Sequence, residues 1–213
     1  MNWQVKYALA NILETRGVTS AEHVRGDAIR ITVRDQPDVV AVISASYMIN
    51  AGSAAQYHEE FPDMDFLCGY RKECVWEGGA IRYIEENNIG WGSAGTLGSA
   101  LDSGNVNTAT HKDFFFSDRL IRQDRSVTTV IREFDRIYSI TLVNGRTLRV
   151  GMIREYEPIA DHVRTLWDKF GPIDIAWNIN PHGNPTRKAV EAGQELGCKV
   201  MKWEELKVLL KKG

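Results

Sequence analysis

Arg119, Arg122 and Arg125 stand three apart, directly after Phe114, Phe115 and Phe116; Arg132, Arg136, Arg146, Arg149 and Arg154 follow them. A guanidinium is a planar, permanently charged fork that grips phosphate through paired hydrogen bonds. If half of these arginines share a face, with Arg119, Arg122, Arg125, Arg146, Arg149 and Arg154 as the candidates, they make a phosphate-binding surface governed by charge rather than base sequence. Tryptophan or tyrosine beside them would add stacking platforms for single strands. Asp118, Asp124, Glu133 and Asp135 interleave with the arginines, so ion pairing within the chain is the competing use.

A second candidate is the loop holding Asn178, Asn180, His182, Asn184 and Thr186. It joins an apolar strand, Asp174–Ile179, to a helix that Pro185 helps to start. Ligands of open α/β sheets favour the carboxyl end of a strand, and a helix N-terminus favours an anion. The same residues also suit a well-capped turn. In the first half the corresponding loop is Tyr70-Arg71-Lys72-Glu73, where Arg71 and Lys72 are either phosphate ligands or a solvated turn. Asp65 and Asp174 open matched strands, where capping carboxylates are expected. Tyr47 and Tyr156 follow the third strands, with half-buried packing as the default. Glu155 and Glu157 would be cation ligands only if they met Asp135. His58 reads as a surface histidine. The chain contains no nucleophile elbow, phosphate-loop lysine, paired C-x-x-C, H-E-x-x-H or dinucleotide fingerprint. This reading calls for no metal and no cofactor.

The elements that must position these groups occur twice. Shifting the chain by 109 residues lays Tyr47 on Tyr156, Phe61 on Phe170, Asp65 on Asp174, Ala80 on Ala189, and Leu97 and Leu101 on Leu206 and Leu210. A period this long means two domains or pseudo-symmetric halves rather than a solenoid. Each copy reads as helix, three strands, helix, strand, helix, strand, short helix. The expected fold is α/β: two similar units with mixed sheets flanked by helices, an internal duplication about a pseudo-twofold axis. Residues 1–101 form the first unit, the polar stretch Asp102–His111 a linker, and residues 112–213 the second unit.

Local patterns fill in the copies. Trp3, Tyr7, Ala10 and Leu13 are spaced for one face of a first helix. Val39–Ile43 is continuously apolar and reads as a central strand. Val75–Asn87 reads as a helix, and Gly92–Gly98 as small and flexible. Thr128–Phe134, Ile137–Val143 and Thr147–Ile153 read as a meander turning at Val143-Asn144-Gly145-Arg146.

This order resembles the restriction-endonuclease-like core, and Asp174–Leu210 resembles the end of Mrr-type nuclease domains. The resemblance implies an acid opening the second strand, for which Asp27 and Asp135 are the candidates. It also implies an acid-x-lysine pair on the third strand. Neither Val39-Val40-Ala41-Val42-Ile43 nor Leu148-Arg149-Val150-Gly151-Met152 holds that pair, which magnesium-dependent hydrolysis needs. The resemblance therefore implies a frame without the activity.

Composition sets the outer limits. With 43% hydrophobic and 25% charged residues, the 213-residue chain is ordinary for a globular protein. No run reaches the roughly 18 apolar residues of a membrane span. Its three cysteines, Cys68, Cys74 and Cys198, show no metal-like spacing and point to a reducing, cytoplasmic compartment. The net charge of −2 hides an asymmetry. Residues 1–106 carry 8 Lys/Arg against 14 Asp/Glu (−6), and residues 107–213 carry 18 against 14 (+4). The first expectation is thus a non-catalytic protein that binds DNA or RNA through its basic C-terminal half. Two others stand beside it. One is an interaction, assembly or inhibitor protein, docking a partner or itself through the acidic N-terminal half. The other is a small-molecule enzyme using the Asn178–Thr186 loop.

Overall fold

A computed structural model describes residues 1–212 and divides the chain into two compact units, Met1–Lys112 and Asp113–Gly213. The first unit runs α1 (Trp3–Ile12), β1 (Val18–Arg25), β2 (Ala28–Val33), β3 (Val39–Ser44), β4 (Met48–Ile49), α2 (Ala51–Glu60), β5 (Phe66–Gly69), β6 (Val75–Trp76), α3 (Gly78–Glu86), β7 (Gly90–Gly92) and α4 (Ala94–Ser103). The second runs α5 (Lys112–Gln123), β8 (Val127–Phe134), β9 (Ile137–Leu142), β10 (Thr147–Ile153), α6 (Ala160–Phe170), β11 (Ile175–Asn178), α7 (Arg187–Leu196), β12 (Lys199–Met201) and α8 (Trp203–Lys212).

Each unit is an α/β sandwich around one mixed five-stranded sheet. The first sheet has the order β1-β2-β3-β5-β7, and the second β8-β9-β10-β11-β12. Three antiparallel strands lead into two parallel ones. β3 is buried along its whole length, as its unbroken apolar run requires of a central strand. One face of the first sheet packs on α1 and α4, the other on α2 and α3. In the second unit α5 and α8 cover one face, α6 and α7 the other.

The registers repeat at the spacing of 109. Val18 pairs with Val33 and Val127 with Leu142; Ala41 pairs with Phe66 and Val150 with Ile175; Phe66 pairs with Gly90 and Ile175 with Lys199. Even the irregularities correspond, between Val18/Ser20 and Val127/Thr129 and between His23/Arg25 and Arg132/Phe134. Asp65 and Asp174 play the same part in this frame. The Asp65 carboxylate accepts the Val40 N–H at 2.8 Å, and the Asp174 carboxylate accepts the Arg149 N–H at 2.7 Å. They are strand-end clasps.

Several local expectations are corrected. The buried side of α1 is Gln4, Val5, Ala8 and Ile12, so the face that carries Trp3, Tyr7, Ala10 and Leu13 is the solvent face. Small and β-branched groups sit flush on the sheet there, while the longer aromatics stay outside. The stretch read as a helix from Val75 starts as the strand β6, which pairs with β4. Ser93 caps α4, which buries Thr96, Leu97, Ala100 and Leu101, so Gly92–Gly98 is largely ordered helix.

The stretch Asp102–His111 is no free linker but part of the first unit. It ends α4 and forms a 3-10 turn, Val106–Thr108, with Val106, Ala109 and His111 buried. The Ala109 carbonyl accepts the Trp91 N–H at 2.9 Å, closing the outer edge of β7. The turn lies so close that a Cβ on Gly90 would stand 1.9 Å from the Val106 carbonyl oxygen.

Candidate functional site

The six candidate arginines do not form one surface. Leu148, Val150 and Met152 of β10 face α5 and α8, so the alternating Arg149 emerges on the opposite face. There it donates to Glu133 at 2.8 Å and to the Pro172 carbonyl at 2.6 Å. Arg146 lies in the β9–β10 turn and Arg154 beyond the far end of β10, roughly 20 Å away along the strand. Arg154 donates to Asp113 at 2.6 Å. Arg122 is held by Asp118 at 3.0 Å, and Asp118 also takes Arg132 at 3.1 Å. Arg119, Arg125 and Arg146 are exposed. Three of the acids interleaved in the sequence, Asp118, Glu133 and Asp135, are thus partners of Arg122 and Arg132, Arg149 and Arg136 in space.

One of these arginines belongs to a built concavity. The end of α5 and the exposed side of α8 enclose a groove of about 320 Å³ lined by Leu120, Gln123, Asp124, Arg125, Ser126, Trp203, Lys207 and Lys211. Trp203, Lys207 and Lys211 recur at every fourth position, so one side of α8 supplies an indole and two ammonium groups. Arg125 faces them from just past α5. The one acid there, Asp124, spends an oxygen on the Ser126 N–H at 2.9 Å. Trp203 is half-buried and leans on Trp177, with ring centroids 5.2 Å apart. Sequence reasoning missed this groove because the closing helix was valued for Leu206 and Leu210, which turn inward. The spacing 203, 207, 211 was the available signal.

The Asn178–Thr186 loop is tied to itself and to the segment that follows β10, where Asn180 Nδ2 donates to the Arg154 carbonyl at 3.4 Å. Asn178 Oδ1 accepts the Asn180 N–H and Asn180 Oδ1 accepts the His182 N–H, both at 3.1 Å. Thr186 caps α7 and donates its hydroxyl to the Pro158 carbonyl at 2.9 Å. His182 and Asn184 are exposed. Asn178 is buried, with no partner for its Nδ2. A wide depression of about 460 Å³ borders Asn180 and Pro181, with Asp113, Arg154, Glu155 and Ile179 as its other walls. Its one arginine is already paired with Asp113.

In the first unit Arg71 is held in place. Its Nε donates to the Ala45 carbonyl at 2.6 Å, and NH1 to the Tyr47 hydroxyl at 2.9 Å. The guanidinium carbon lies 4.2 Å from the Tyr47 ring centroid and 6.0 Å from that of Trp3. Trp3 meets Tyr7 and Tyr70 edge-on at 5.7 and 6.5 Å. Lys72 is exposed beside Arg71.

The remaining candidates have structural places. Asp135 is fully buried and bound bidentately by Arg136 at 2.8 and 3.0 Å, with that guanidinium over the Phe114 ring. Asp27 accepts from Asn2 at 2.6 Å, and burial followed by the Glu60 charge raises its carboxyl above the usual range. His58 is half-buried, 3.1 Å from the Tyr83 hydroxyl. All three cysteines are buried, and burial pushes the Cys68 and Cys198 thiols up. Among the described residues no three His, Cys, Asp or Glu side chains converge as a metal set, and no helix is long and apolar enough to cross a membrane. No family model, curated protein or solved structure matches the chain.

Proposed function

We propose that this chain binds nucleic acid without cleaving it, through the groove between α5 and α8. The observation that carries the reading is the meeting of Arg125, Lys207 and Lys211 around the half-buried Trp203. Three cations within one groove suit successive phosphates, and an indole beside them suits a stacked base. The groove lies in the half of the chain with the positive balance. Binding is to single strands in preference to duplex, because a base held in a pair cannot turn its face onto the half-buried indole that lines the groove. It is indifferent to sequence, since every base has a π-face.

The same proposal includes the origin of the frame. The two units are copies of one ancestral unit of the restriction-endonuclease-like type, now without its chemistry. Support for duplication is the repeat at 109 residues of each register of the two five-stranded sheets. The nuclease-like reading rests on element order and on third strands that lack the acid-x-lysine pair.

Fluorescence anisotropy of a labelled oligothymidine and a labelled duplex, on the whole chain at several salt concentrations, tests it. Single-strand binding should weaken steeply with salt, and Arg125→Glu or Lys211→Glu should each flatten the slope by roughly 0.7. Trp203→Leu should cost about 1–3 kcal/mol of single-strand affinity. No binding to either probe at roughly 50 mM salt and tens of micromolar protein overturns the proposal, as non-specific sites bind at about 10⁻⁴–10⁻⁶ M even in physiological salt. Binding indifferent to both charge reversals overturns the groove.

A further inference from the structure

The outer face of α1 exposes large apolar side chains. Trp3 is 54% exposed, Tyr7 59% and Leu13 52%; Tyr47, on the loop after β3 and 63% exposed, shares the Arg71 guanidinium with Trp3, and Met48 at the start of β4 is 47% exposed. Isolated exposed apolar residues are ordinary; large exposed rings meeting at one immobilised arginine, as Trp3 and Tyr47 do at Arg71, mark a binding surface. Trp, Tyr, Met and Arg are also the residues enriched in interface cores. Arg71 is fixed by two hydrogen bonds and a stacked ring, so little of its freedom remains to be lost on binding.

Charge narrows the occupant. The first 106 residues hold 8 Lys/Arg against 14 Asp/Glu, yet Arg71 meets both Trp3 and Tyr47, the exposed Lys72 follows it in the chain, and the exposed Lys6 precedes Tyr7 on α1. Glu14 and Glu73 lie next to it in the chain. A second copy of the same face would bring two sets of these cations together. A polynucleotide would have to extend from the patch across the acidic remainder of the unit, and it has no use for the aliphatic Leu13 and Met48. A short segment feels only charges within about 10 Å. We propose that this face docks an acidic peptide segment of another protein, with aromatic or leucine side chains set on the α1 face and Asp or Glu on Arg71 and Lys72.

Selection of displayed random peptides of about 15 residues against the whole chain tests this. The recovered peptides should combine Trp, Phe or Leu anchors with a net negative charge. Synthetic versions should lose at least about 10-fold in affinity for Trp3→Ser and for Tyr47→Ser. The double variant Arg71→Glu, Lys72→Glu should instead select basic peptides. These side chains are more than half exposed or on a loop, so the melting temperature should hold; if one variant fails to fold, Met48→Ser takes its place. Three outcomes overturn the proposal: no enrichment, basic or neutral winners on the unmodified chain, or binding that survives Trp3→Ser. A loss of oligothymidine binding in Trp3→Ser would assign the face to nucleic acid and likewise overturn it. Arg125→Glu should leave peptide binding unchanged, which separates this test from that of the groove.

Discussion

The two units share a backbone frame and differ at their rims. Position for position, the strands pair alike and the same aspartate clasps the third strand. At the outer edge they part. β7 is closed by the turn at Val106–Thr108 and needs Gly90 to admit it, whereas the matching residue of β12 is the exposed Lys199. A covered edge and a charged edge are two solutions to one problem, that of a strand with unpaired backbone groups. Over α1 and α5 the outer surfaces differ too: one carries Trp3 and Tyr7 near a fixed arginine, the other Phe115 and Phe116 with Arg119. What is repeated in this molecule is support, and what diverges is contact.

That comparison can be broken most strongly at the covered edge. Gly90→Ala should destabilise the first unit by about 3 kcal/mol, since its Cβ meets a backbone carbonyl that cannot rotate away. Lys199→Ala at the matching position should stay within about 0.5 kcal/mol. Urea unfolding with unit-resolved hydrogen exchange reads both, and equal effects would show that the edges are not differently built. The clasps come next. Asp65→Ala and Asp174→Ala should each cost about 1 kcal/mol. Asp65 should cost more, because its other oxygen also accepts from Asn107 at 3.0 Å, in the segment that covers β7.

The smallest effect sharpens the comparison at β2. Asp27 has its carboxyl raised by burial and then by Glu60. A raised carboxyl favours its protonated form in the fold. Its stabilising share is present below the unfolded value of about 3.9 and is lost as pH rises through the folded one. Asp27→Asn should therefore raise stability at neutral pH by no more than about 0.5 kcal/mol, with the gain vanishing below pH ~3.5. Thermal melts across that range check the sign. A loss of stability at pH 7 would mean that the Asn2 contact needs the charge.

Much of the frame was legible because burial on both faces leaves a mark: Val39–Ile43 has no polar residue and is the central strand. The acids before Phe66 and Ile175 were also legible, since a carboxylate at a strand start has few other uses. The α1 face was not. Periodicity counts apolar residues without knowing which stripe is short enough to lie on a sheet, and Val5, Ala8 and Ile12 won over Trp3 and Tyr7. Asp102–His111 misled because its polar composition hides a backbone role; its hold on Trp91 is a carbonyl, and any side chain can bring one. The arginine series was legible only as pairs, since Asp118, Glu133 and Asp113 lie too near to leave Arg122, Arg149 and Arg154 to a ligand. The groove escaped because its two walls come from α5 and α8, far apart in sequence.

The turn over β7 also decides where the chain can be divided. A fragment ending at Leu101 would strip the Ala109 carbonyl from Trp91 and leave a bare strand, whose Trp91 ring packs at a tilt on Trp76, open to pairing with any other chain in solution. A cut after Lys112 keeps that edge closed. The first unit therefore includes the stretch whose composition reads as a linker.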